Sequence, residues 1–172
     1  MLRKRKNITK KRHEVVVMLT ALEQQAREAA MLADKANKHA ARDCYSSYFK
    51  FRTKINEFQS LVALVETRLD RIGDEQVEEL YIKFRQLDTV VVIMVVRTSS
   101  KFFTMMHDVD ALPLGARELL QPELRRLTDI RERMKDQSDE VERMSPGIVE
   151  TVEQCLEKIE RLLERSHQLP EW

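Results

Sequence analysis

An all-α fold, a coiled-coil-type bundle of about five long helices, is what this sequence predicts. Three observations carry that expectation. Apolar residues recur in a four-three alternation along most of the chain, the spacing that lines one side of an α-helix. Only three glycines and four prolines punctuate 172 residues, so turns are few and elements long. Charged residues make up 34% and aromatics 6%, the Leu, Val, Ala, Glu, Lys and Arg mixture typical of long helices.

The first element is electrostatic. Residues 1–12 hold Arg3, Lys4, Arg5, Lys6, Lys10, Lys11 and Arg12 and no acidic residue. Seven of the 30 bases therefore fall in this stretch, and the rest of the chain has fewer bases than its 29 acidic groups. We read residues 1–12 as a basic flexible arm, 13–168 as the bundle and 169–172 as a C-terminal tail ending in Trp172. Exposed bases attract anionic lipid by about 1 kcal/mol each near a charged surface. They attract a nucleic-acid backbone or an acidic protein face by the same physics. A matrix-targeting peptide is a further reading of the arm, although such peptides are rich in serine and this one has none.

The first stripe runs Val15, Leu19, Leu22, Ala26, Ala29, Ala33, Ala36, Ala40. Its second half is alanine, and small seam residues let two helix axes come close, so Ala29, Ala33 and Ala36 are expected at a tight helix interface. A second stripe, Cys44, Tyr48, Phe51, Ile55, Phe58, Val62, Val65, Leu69, Ile72, is out of phase with the first by one residue. Either the chain turns near residues 37–43 into an antiparallel pair, or one helix of about 60 residues and roughly 90 Å shows two faces to two partners. Asn37 and Asp43 favour the turn, and the absence of Gly or Pro before Gly73 leaves the long helix open.

Gly73-Asp74 reads as a helix stop and the next start. The third stripe is Val77, Leu80, Phe84, Leu87, Val91, Val95, Thr98, Phe102, Met105, Val109. Residues 90–96 are apolar all round. That suits a helix enclosed by others, with Val92 and Val96 at an interface within the bundle or with another subunit; a short buried strand is the other reading. Pro113, Gly115 and Pro122 mark the next connection, followed by a looser stripe of Leu120, Leu124, Leu127, Ile130, Met134, Val141 and Met144. Ser145-Pro146 reads as an N-cap with Pro at the first helical position, and Ile148, Val152, Cys155, Ile159 and Leu162 line the last helix.

Against this background no reactive constellation stands out. A di-metal bundle needs two Glu-x-x-His motifs, and the chain has one, Glu164 to His167 at a helix end. Cys44 and Cys155 are far apart and on apolar stripes, which suits buried thiols in a reducing compartment rather than a disulfide, a zinc site or a nucleophile. The three glycines stand at separate connections, so no phosphate-cradling loop is expected. The segment from Tyr45 to Lys54 interleaves aromatics with bases, but Tyr48, Phe51 and Ile55 share the seam while Lys50 and Lys54 lie on another face. No catalytic residue, metal or cofactor is expected, and the chain is read as non-enzymatic, with no small-molecule substrate.

The longest apolar run, Val90 to Val96, falls short of the roughly 20 residues of a membrane-spanning helix, and the N-terminus lacks a secretory apolar core. The expected location is the cytoplasm or another reducing compartment, with the mitochondrial matrix following from the arm's other reading. Lys35-Ala-Asn-Lys38-His-Ala-Ala-Arg42, ahead of an apolar-seamed helix with Lys50, Arg52 and Lys54, resembles the hairpin region of ESCRT-III membrane-remodelling subunits, which also begin with a basic helix. The likeness covers about a third of the chain; the glycine common at that hairpin tip and a clear acidic tail are both missing. The expectation for function is an interaction or assembly subunit that self-associates or binds a protein partner. Its alternative is a membrane-surface, ESCRT-III-like, or nucleic-acid-binding assembly protein using the basic arm.

Overall fold

A computed structural model describes residues 2–38, 44–72, 77–108, 112 and 116–167, with backbone alone at 2–9, 44, 116, 117 and 167. Among the described residues there are six helices and no strand: α1 (Leu2–Lys38), α2 (Cys44–Asp70), α3 (Glu78–His107), α4 (Ala116–Lys135), α5 (Ser138–Met144) and α6 (Ile148–His167). The fold is an all-α helical bundle. Helix α1 takes in residues 2–12, which the sequence sets apart as an arm. Lys and Arg are good helix formers, so a basic run that continues an amphipathic helix has no local reason to leave it.

The chain divides into two compact units. The first comprises Met1–Lys35 and Ser46–Val91, the second Ala36–Tyr45 and Val92–Trp172. In the first unit α1 and α2 run antiparallel. Lys54 Nζ lies 2.8 Å from Glu28 Oε2, and these residues stand ten positions from the facing helix ends, Lys38 and Cys44. Residues 39–43 and the turn chemistry expected there, like Gly73-Asp74, lie outside the described residues. The start of α3 is tied back to α2 by Tyr81 Oη, which donates to Asp70 Oδ1 at 2.7 Å. It runs parallel to α1, since Glu79 lies 4.0 Å from Arg12 and Lys83, further on, 3.2 Å from Glu23.

Both expected stripes of this unit are buried over most of their length, with Ile72 half-buried. Val15, Leu19, Leu22, Ala26, Ala29 and Ala33 face inward on α1, and Tyr48, Phe51, Ile55, Phe58, Val62, Val65 and Leu69 on α2. Ala40, Cys44 as a side chain and Val109 lie outside the described residues. Burying aliphatic and aromatic side chains at about 25 cal/mol per Å² is what holds such helices together, because isolated helices are marginal in water.

In the second unit α4 and α6 are antiparallel, with Arg131 Nη1 3.5 Å from Glu153 Oε2, while α3 and α6 run parallel. Lys158 Nζ donates to Thr104 Oγ1 at 2.8 Å and Arg165 Nη1 to the His107 carbonyl at 3.0 Å. Phe102 and Phe103 meet edge to face with centroids 5.0 Å apart, and Tyr45 tilts against Phe102 at 6.2 Å. Such aromatic pairs add specificity beyond the area they bury.

The fold corrects four expectations. Pro122 lies inside α4 rather than in a connection. Its ring is exposed, and the carbonyl it deprives of a partner belongs to exposed Glu118, where solvent can reach it. The α4 seam passes through Glu123, fully buried, and not Leu124; Glu123 lies 3.4 Å from Arg126 Nη1, whose cation offsets the buried charge. Ser145 does not cap α6. Its hydroxyl accepts from Arg97 Nη2 at 2.8 Å, while the Glu142 carboxylate accepts from the amides of Gly147 at 2.8 Å and Val149 at 3.0 Å. Finally, α3 is long and apolar enough by length and composition to cross a membrane, with half of the relevant window buried inside the chain. Between Asp88 and Asp108 only Arg97 and Lys101 are charged, and the remaining polar residues are mostly Thr and Ser, so the apolar window outlasts the Val90 to Val96 run. A core helix meets the same criterion.

Candidate functional site

The residues singled out by sequence fall into three places. Ala29 and Ala33 are buried on α1 in the first unit, and Ala36 is buried in the second. On α3, Val96 is fully buried and Val92 half-buried, and the run they bracket is not enclosed on every side: Val90 is 44% exposed. The bases at the N-terminus lie on α1. Lys10, Lys11 and Arg12 are exposed. The side chains of Arg3, Lys4, Arg5 and Lys6 lie outside the described residues.

The hairpin adds what the linear stripe does not show. Because α2 returns alongside α1, Arg71 stands as far past Cys44 as Lys11 stands before Lys38. A shallow depression at this open end is lined by Lys11, Glu14 and Val15 from α1, by Arg68 in the last turn of α2 and by Arg71 and Ile72 just after it. Three cations thus surround one carboxylate over a floor of Val15 and Ile72. The signal in the sequence is the antiparallel register itself: once the turn is placed near residue 41, Lys11 and Arg71 must face each other.

Elsewhere in this unit, two lysines sit against carboxylates. Lys54 sits beside Glu28 and Glu57, at 2.8 and 2.7 Å, and Lys83 beside Glu23. The Glu28 carboxyl is held below its ordinary value chiefly by the Lys54 hydrogen bond and then by Gln24, and Lys54 is raised by Glu28 and Glu57. At the open end only Arg12 is paired, at 4.0 Å from Glu79; among the described residues no carboxylate is within ion-pair distance of Lys10, Lys11, Arg68 or Arg71. Arg68 lies in the last turn of α2, where the helix dipole favours a cation. Lys11 is deep in α1, and no dipole accounts for it.

Cys155 is buried and its thiol is pushed up to about 12, mainly by desolvation. Among the described residues no three His, Cys, Asp or Glu side chains gather as a metal site would need. The side chain of His167 lies outside them. The chain matches no family model, no curated protein and no solved structure.

Proposed function

We propose that the chain acts as a non-enzymatic interaction or assembly subunit built on a helical bundle. One observation supports it. Helix α3 carries the buried Val91, Val95 and Val96, yet its Ile82 and Val90 are 50% and 44% exposed. Aliphatic area left open on a core helix gains about 25 cal/mol per Å² when a second surface covers it. Light scattering on the purified chain tests this. A mass above that of one 20.3 kDa chain, returned to one chain by joint Ile82→Glu and Val90→Glu substitution with the fold intact, supports the reading. A parent that stays at one chain across the concentration range, and that cross-links to no protein partner through α3, overturns it.

A second reading is favoured by the bases at the start of α1: adhesion to an anionic membrane surface or to nucleic acid. Binding to anionic vesicles and to a duplex, compared at matched salt, tests it. Removal of residues 1–9 should weaken the adhesion, and raising the salt should weaken it steeply. No binding to either at low salt removes this reading.

A further inference from the structure

We propose that the depression lined by Lys11, Arg68 and Arg71 is a binding site for a compact, multiply charged phosphate group, either a free phosphorylated small molecule or the phosphorylated headgroup of a lipid. The inference deepens the second reading above, and rests on it, by assigning one discrete site within a broadly basic surface.

Two helices that meet through the hairpin bring Lys11 and the pair Arg68 and Arg71 to one depression. Arg68 lies in the last turn of α2 and Arg71 just past its end, in the turn that follows, and Lys11 lines the same depression from α1. Three like charges at one spot repel one another, and Glu14 offsets only one of them, so a bound anion would relieve the remaining repulsion. Lys54 and Lys83, by contrast, are each matched by a carboxylate of the neighbouring helix.

The chemistry of the lining selects the ligand. A guanidinium presents a planar fork of donors that suits phosphate oxygens, and an ammonium adds a point charge. Two arginines and a lysine lining one depression suit a phosphate monoester or pyrophosphate, which concentrates charge. A nucleic-acid strand spreads single charges along a line and is better served by a stripe of bases. Glu14, in the same lining, partly opposes any anion, so the site should prefer a ligand with more than one negative charge. The apolar floor of Val15 and Ile72 makes no hydrogen bonds and leaves orientation to the three cations.

Calorimetric titration of the full chain with inorganic pyrophosphate tests the site directly. Flotation with vesicles carrying a polyphosphorylated inositol headgroup, against phosphatidylserine vesicles of equal surface charge, tests the lipid source. Two variants are compared: Arg68→Gln with Arg71→Gln, and Lys50→Gln, which removes an exposed base of α2 outside the depression. Saturable pyrophosphate binding that weakens roughly tenfold or more in the double variant, and is unchanged in Lys50→Gln, supports a free phosphorylated ligand. Headgroup-selective flotation with the same loss, without pyrophosphate binding, supports the lipid headgroup. Circular dichroism and melting temperature should be unchanged in both variants, since all three residues are exposed. Equal behaviour of the two vesicle types, with the double variant and Lys50→Gln weakened alike and no pyrophosphate binding, overturns the discrete site and leaves diffuse adhesion standing. Displacement of pyrophosphate by an oligonucleotide at equal charge concentration overturns the selectivity for a compact ligand. No binding of any probe at low salt overturns both the site and the adhesion reading.

Discussion

Lys54 stands between two carboxylates, 2.8 Å from Glu28 across the hairpin and 2.7 Å from Glu57 along its own helix. Its ammonium therefore joins α2 to α1 at a fixed register. Glu28, held below its ordinary value of 4.5, contributes stability that is present above that value and is lost as pH falls through the lowered one. Lys54, raised above 10.5, contributes below that value and loses the contribution as pH rises through the raised one. Glu28→Gln should lower the melting temperature at neutral pH, and the gap to the parent should close as the solution is acidified below 4.5. A gap that persists in acid means the effect is packing rather than charge.

The alanine seam gives a steric prediction. Ala33 is 5% exposed on α1, and Ala33→Leu must place three further carbons where a neighbour already stands. The expected cost is about 1–3 kcal/mol in chemical denaturation. An unchanged midpoint would show that the neighbour leaves room for the larger side chain.

Val96 and Val92 are four residues apart on α3 and differ in burial, the first fully enclosed and the second partly open. Val96→Glu should cost on the order of 4 kcal/mol or more, because the carboxylate would be desolvated without a partner. Val92→Glu should cost less than half as much. Equal losses in thermal melts would contradict the difference in enclosure.

The junction of α5 and α6 depends on one carboxylate and one glycine. Glu142 accepts from the amides of Gly147 and Val149, first Val149 and then Gly147 holding it below 4.5. Glu142→Ala should speed hydrogen exchange at both amides above 4.5, with the difference from the parent fading as pH falls through the lowered value. Gly147 has φ +76, and a methyl group added there would meet nothing within 4 Å, so Gly147→Ala should cost about 1–2 kcal/mol from backbone strain alone. Gly147→Asn should recover part of that loss, and equal stability of the Ala and Asn variants would argue against the strain.

Where one face of a helix is buried, spacing alone locates it. On α1 and α6 every residue named from the four-three pattern, from Val15 to Ala36 and from Ile148 to Leu162, is buried, although α6 also buries Leu156 and Leu163, which the pattern passes over. On α3 the pattern finds Val91, Val95, Thr98 and Phe102 but passes over the equally buried Ser99, Phe103 and Met106, because this helix is covered on two sides and a single stripe describes one. Glu123 is hidden for a different reason. A seam position normally reads as apolar, and only a nearby cation, Arg126, makes a carboxylate tolerable there. The three-cation depression is illegible for a third reason: Lys11 and Arg71 are 60 positions apart and become neighbours only when the hairpin closes.

Cys155 turns the second unit into its own clock. The thiol is sealed from solvent, and burial keeps it protonated well above neutral pH, so alkylation of the folded state is blocked twice over. With Cys44 replaced by serine, every modified molecule must first have opened around α6. The rate at which a thiol reagent consumes Cys155 then counts those openings one by one, in a chain whose other unit carries no thiol to confuse the tally.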